Sequence, residues 1–191
     1  MTPKKYSCLD VQFLGDADFK IETVQLKDIE SIRQWRNAQM DVLRQKSVIT
    51  AAQQRVYFDT HIFPSMRVVH PQNLLMSYFF QGQLIGYGGL VHISWENLRA
   101  EVSFLLDPSR VANPDVYARD FAKFLGLIKR LAFSELNLQR LFTETYIFRK
   151  LHISILESAG FEKEGVLKRH VLIDQKATDS VVHGCLNNDE K

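Results

Sequence analysis

From Leu74 to Asp107 the hydrophobic positions fall into three runs, "LLMSYFF", "LIGYGGLVHI" and "LRAEVSFLLD", rich in β-branched and aromatic residues. They are separated by "QGQ", with Gly82 at the turn, and by "SWEN". Runs of this length joined by turns this short predict three antiparallel neighbours. Upstream, "FKIETVQL" (Phe19–Leu26) alternates as a strand. Asp28 then offers an N-cap before the helical stripe Ile29, Ile32 and Trp35. Thr50 and Gln53 have capping-box spacing and open a second helix, which carries Val56, Tyr57 and Phe58 towards His61 and ends before Pro64. Downstream of Asp107-Pro108 the period lengthens again. Asn113-Pro114-Asp115 places a cap, a first-turn proline and an acid at a helix start, and Phe121, Phe124, Leu125, Ile128 and Ala132 form its apolar face. A strand "RLFTETYI" follows, then a helix into Gly160. Two further strands, near Val166–Leu172 and Ser180–Cys185, flank a turn at Asp174-Gln175-Lys176. Gly160 suits the left-handed residue after a helix, with Phe161 folding back near Leu156 or Glu157.

The order of elements decides the fold class. Only the passage from "EVSFLLD" to "RLFTETYI" is a long helical crossover between strands, so those two strands should be parallel within an otherwise antiparallel sheet. The expected fold is α/β (α+β): a mixed, mostly antiparallel central sheet with flanking helices and one parallel pair. The crossover helix should start above the C-terminal end of the first of these strands, where free amides and the helix dipole favour an anion. No repeat or Gly/Ser linker divides the chain. It reads as a single domain over 1–191, with 1–18 as a loosely attached N-terminal segment.

Composition narrows the function. The chain has 191 residues, and 24 basic against 22 acidic residues leave a formal charge of +2, which offers no footprint for nucleic acid. No stretch approaches the ~18 apolar residues of a membrane span. "MTPKKYSCLD" lacks the apolar core of a signal peptide. Cys8 and Cys185 stand far apart with no metal-ligand spacing. A cytoplasmic protein without a metal is expected.

Five stretches, "IRQWRN", "LIGYGGL", "AEVSFLLDP", "LAFSELNLQRL" and "LESAGFEKEGVLKRHVLIDQKATDS", resemble in order the GCN5-related N-acetyltransferase (GNAT) superfamily. The likeness runs from Phe19 to Cys185 and is nearest to the branch of ribosomal-protein N-terminal and nucleotide-sugar amine acetyltransferases. It implies acetyl-CoA as co-substrate, with a pantetheine arm lying between two splayed parallel strands in place of a missing strand. It also implies a small-molecule amine as partner, with a homodimer as a candidate assembly. The helix closed by Gly160-Phe161 would flank the thiol end.

Two departures from the family pattern stand out. Counting back from "LAF" puts the pyrophosphate loop on "YARDFA" (117–122), which has no glycine; Arg119 and Lys123 are the candidates to hold phosphate instead. Counting back from Gly160-Phe161 puts Arg149 at the family's Asn position, beside the cofactor, and Leu156 at its Tyr position. Leu156 cannot protonate a departing thiolate. Either none is needed, since thiols have a pKa near ~8.5, or Tyr146 or His152 serves, the latter also beside the cofactor.

For the chemistry, Glu101 is the candidate base, working through water. It alternates with Ala100 and Val102 and so points away from Phe104 and Leu106; its competing role is an ion pair at the sheet surface. Backbone amides near Leu105 or Leu106 are the candidate oxyanion donors. Candidate acceptor-binding residues are Trp35, Arg36, Asn37, Tyr87, His92, Glu144, Tyr146, His170 and His183, with Trp35 equally at home in a core. The leading expectation is N-acetylation of a small amine, an amino sugar nucleotide being the favoured acceptor. N-terminal protein acetylation and non-catalytic acyl-CoA binding are the alternatives.

Overall fold

The computed structural model describes residues 5–187. Eight strands form one sheet in the order β1-β2-β3-β4-β5-β6-β8-β7. The strands are β1 (Phe13–Gly15), β2 (Phe19–Thr23), β3 (Leu74–Phe80), β4 (Gln83–Ser94), β5 (Arg99–Leu106), β6 (Arg140–Tyr146), β7 (Glu162–Ile173) and β8 (Lys176–Leu186). Helices α1 (Ile29–Ala38), α2 (Ala51–Tyr57) and the single turn α3 (Phe63–Ser65) precede the meander. A short α4 (Pro108–Val111) and the long α5 (Pro114–Arg130) make the crossover, and α6 (Lys150–Ser158) follows β6.

Every neighbouring pair is antiparallel except β5 and β6. That parallel ladder covers only Arg99–Arg140, Ala100–Leu141 and Glu101–Phe142. Beyond it both strands continue, to Leu106 and Tyr146, without pairing with each other, while β5 stays paired with β4 and β6 with β8. The sheet therefore opens along a wedge in its middle.

Local chemistry accounts for most boundaries. Gln81 and Gly82, both at positive φ, make the β3–β4 turn. Thr50 and Gln53 close a capping box on α2. After α6, Gly160 takes φ +84°. Its N–H donates to the Glu157 carbonyl and that of Phe161 to the Leu156 carbonyl, both at 3.0 Å, the paired bonds of a Schellman end. Phe161 is buried, as its fold-back requires. Asp28 behaves differently from expectation. Its carboxylate does not cap α1; it is buried, accepting from the Gln25 amide at 2.9 Å and the Ser77 hydroxyl at 2.7 Å. The helix expected to stop before Pro64 instead continues through a wide turn (58–62) into α3.

Apolar layers cover both faces. Phe121 and Phe124 of α5 meet Phe104 and Tyr78 of the sheet, with ring centroids 4.5 Å and 5.2 Å apart. Ile32 and Trp35 of α1 are buried in the core with Phe58, Ile62 and Met66. Residues 5–15, within the segment expected to be loosely attached, are docked: Tyr6 is fully buried and accepts from the Leu75 amide at 2.9 Å, and β1 pairs with β2. No helix among the described residues is long and apolar enough to cross a membrane.

Candidate active site

The wedge between β5 and β6 is a cleft of about 220 Å³. Its walls alternate with the strand period. Glu101 and Ser103 of β5, with Glu144 and Tyr146 of β6, lie on the face that carries α1; Phe104, Thr143 and Thr145 lie on the α5–α6 face. Glu101 thus points away from Phe104 and Leu106, as its alternation predicts. The segment between α1 and α2 crosses the opening and brings Arg44 to both carboxylates. Its Nη2 lies 2.9 Å from Glu101 and 3.0 Å from Glu144. Burial works against the Arg44 cation, but the two carboxylates outweigh it and hold the guanidinium above its ordinary range. His92 and His170 stand 3.7 Å from Glu101 and 3.6 Å from Glu144.

On the other face a buried polar group joins α5 to α6. Arg149 donates to the Tyr117 hydroxyl at 3.1 Å, and that hydroxyl is 2.6 Å from His152 Nδ1. With arginine only a donor, the pattern satisfying all three gives the tyrosine proton to Nδ1 and leaves the imidazole proton on Nε2. Burial, then the charges of Arg149 and His183, hold His152 well below its usual pKa and keep it neutral. Its ring stacks on Phe121 at 4.1 Å. Burial also raises the Tyr117 phenol, opposed by Arg149, and the Tyr146 phenol, opposed by Arg44. Thr143 lines the cleft with its hydroxyl buried and unpartnered.

Arg36, Val91 and Ser103 are shared with a second cavity of about 460 Å³, whose other walls include Gln54, Tyr57, Phe58 and Tyr87. Arg36 donates to the Tyr87 hydroxyl at 2.7 Å and to Gln45 at 3.1 Å. A third, open groove of about 400 Å³ runs between Val111, Tyr117, Arg149 and Lys150. Leu105 and Leu106 lie deep between these spaces at a constriction of only about 10 Å³. The Leu106 carbonyl is already taken by Gln39 at 2.8 Å.

Glu101, Glu144, Tyr146, Arg36, Arg149 and His152 are therefore gathered around one cleft, with Tyr87 beside it and His170 at its rim. Others are not. Trp35 is core. Asn37 ties down the loop, bonding Ile49 and Gln45. His183 is fully buried, its nearest charged neighbour being Glu157 at 3.5 Å, and it does not line the cleft, the second cavity or the open groove.

The stretch "YARDFA", where the phosphate loop is expected, lies inside α5; the connection before that helix spans 107–113 and includes α4. Arg119 lies over Phe19 and Phe80 and pairs with Asp120; Lys123 pairs with Asp16. Neither borders the cleft. At the α5 terminus Asn113 accepts from the amides of Asp115 and Val116, and Pro114 has none to offer, so little remains there for an anion. Arg44 and Tyr117 had no sequence signal: one lies in an aperiodic loop, the other on an ordinary helix face.

The profile of a family described as an acetyltransferase (GNAT) domain matches residues 21–182. No curated protein matches the chain in sequence. Among solved structures, spermidine N-acetyltransferase from Vibrio cholerae, in complex with CoA and spermine, superposes with a TM-score of 0.74 at 19% identity, over 90% of this chain and 96% of that one. RimL, the ribosomal L7/L12 alpha-N-protein acetyltransferase in complex with coenzyme A, superposes with a TM-score of 0.76 at 12% identity, over 93% and 99%. Among the described residues no group of three or more His, Cys, Asp or Glu side chains is arranged to hold a metal.

Proposed function

The chain belongs to the acetyltransferase (GNAT) domain family, and from that premise we propose that it acetylates the primary amine of a small acceptor, an amino sugar carried on a nucleotide. The observation that carries the reading is the wedge itself: two parallel strands that stop pairing with each other, with a carboxylate at the point where they part. The freed backbone edges and the orphan Thr143 hydroxyl suit an amide-bearing pantetheine arm, which would bring the acetyl thioester into the cleft. Arg149 and Lys150, bordering the open groove, suit the cofactor's phosphates better than Arg119 and Lys123, which are engaged elsewhere.

The residues divide the work as follows. An amine arrives as an ammonium and must lose a proton before its nitrogen can attack. Glu101 takes that proton through water and passes it to solvent. Of the two candidate β5 amides, that of Leu105 is turned to β4, where Leu105 pairs with Tyr87; that of Leu106, on the wedge side, polarises the acyl oxygen. As the nitrogen bonds to the acyl carbon and the carbon–sulfur bond breaks, Tyr146, a protonated phenol lining the cleft, gives its proton to the sulfur. It regains one from the new amide nitrogen, so one proton in total reaches solvent. His152, neutral and hydrogen-bonded through Nδ1, positions Tyr117 and Arg149 behind the cofactor. The second cavity, with Arg36 and the rings of Tyr57, Phe58 and Tyr87, suits a base and its phosphates.

The test is release of CoA thiol from acetyl-CoA with three acceptors: a UDP-linked amino sugar, spermidine, and a short peptide with a free N-terminus. The amino sugar should be turned over fastest. Preference for the peptide would overturn the acceptor assignment, and binding of acetyl-CoA without thiol release from any amine would make the chain a binder.

A further inference from the structure

Arg44 is tied to the cleft from outside. Its side chain is 53% exposed, whereas those of Glu101 and Glu144 are 11% and 16% exposed, so the cation reaches the carboxylates from the solvent side and covers them. The contacts are a fork: Nη2 at 2.9 Å and Nη1 at 3.4 Å from the two Glu101 oxygens, with Nη2 also 3.0 Å from Glu144. One guanidinium faces two carboxylates, so the arginine alone leaves the pair short of positive charge. The backbone around Arg44 is pinned independently. Gln39 holds the Leu106 carbonyl at 2.8 Å, and Gln45 holds Asn37 at 2.8 Å and the Ser47 carbonyl at 2.9 Å. The arginine can swing away while its loop stays in place. A half-exposed guanidinium is solvated and screened, so letting go costs little. The same cleft also contains the buried, unpartnered Thr143 hydroxyl, a polar group for which the described residues supply no partner.

We propose that Arg44 holds the place of the acceptor's ammonium group: without acceptor its guanidinium occupies Glu101, and an acceptor reaches Glu101 by displacing it. The inference rests on Glu101 as the proton acceptor and adds a rule of selection. A hydroxyl brings no positive charge and cannot replace a guanidinium between two carboxylates; an ammonium can. An acceptor carrying both groups is thus presented to the thioester through its nitrogen.

Methylammonium chloride is the probe, and the carboxylate carbon signals of Glu101 and Glu144 in glutamate-labelled protein are the readout, at constant ionic strength with sodium chloride as the reference. Arg44→Met keeps the aliphatic stem and removes the competitor. If Arg44 fills the site about nine-tenths of the time, methylammonium should bind the variant on the order of ten-fold more tightly than the parent chain. Adding Glu144→Gln to Arg44→Met should reverse most of that gain. An equal melting-temperature rise with acetyl-CoA in parent and variant establishes that the variant is folded. Equal methylammonium affinity in the two proteins, weaker affinity in Arg44→Met, or no Glu101 signal change in either overturns the proposal. Methylammonium binding needs no acetyl transfer, so a chain that passes this test yet releases no thiol would refute the proposed function alone.

Discussion

His152 is a buried imidazole kept neutral by its surroundings, with Phe121 against its ring, Tyr117 on Nδ1 and Arg149 nearby. An unfolded histidine titrates near ~6.5. Because the folded pKa lies below that value, the unfolded chain binds the extra proton first as pH falls. Stability should therefore be complete above about pH 6.5 and decline as acid is added below it. Urea midpoints of the parent chain and His152→Gln, measured between neutral and mildly acidic pH, should show a shallower decline in the variant. Glu101→Gln tests the chemistry: turnover should fall about 10²–10⁴-fold, while the melting-temperature rise given by acetyl-CoA stays unchanged. Loss of both together would make Glu101 structural. Asp120 is the third case, a fully buried carboxylate held by Arg110 at 2.6 Å and Arg119 at 2.8 Å. Asp120→Ala should cost roughly 3–5 kcal/mol of unfolding free energy, because it strands Arg110 and opens a hole. Alternation made the direction of Glu101 legible, since strand period alone fixes it. The same period could not say whether the face carrying His183 meets a cavity or packed protein. Arg44 was illegible because its partners lie 57 and 100 residues away, and nothing local records them.

Helix ends were the most legible elements because they are decided within a few residues. Thr50 with Gln53, Asn113 with Pro114, and Gly160 with Phe161 each act where the sequence places them. Asn113→Ala should lower stability by about 1 kcal/mol, read as a shift in urea midpoint. A loss well under that would mean that water replaces the cap without penalty. Asp28 went astray because Ser77, on a distant strand, captures the carboxylate a helix start would have used. Counting back from "LAF" to a phosphate loop assumes a fixed helix length. α5 begins at Pro114, so the count lands within the helix. The three meander strands were clear from their runs. Gly88 within them is a packing requirement, since a Cβ there would collide with the Ser103 carbonyl.

For the whole molecule, the single helical crossover fixed the parallel pair, and with it the position of the cleft, from element order alone. How early that pair parts was not in the pattern, because the runs on both strands continue well past Glu101. If the cleft takes acetyl-CoA, the melting temperature should rise with ligand concentration; at a hundredfold excess over the dissociation constant the gain is about 2.7 kcal/mol. No rise at saturating ligand would contradict the cofactor assignment. The early parting also has a consequence for the life of the empty chain. An ordinary open sheet has two margins to protect from strangers; this one has four, two of them facing each other in its interior. A flexible segment from another molecule could add itself there as readily as a ligand does. Cofactor would then act as a guard against self-association, and preparations stripped of it should scatter more light on storage than loaded ones.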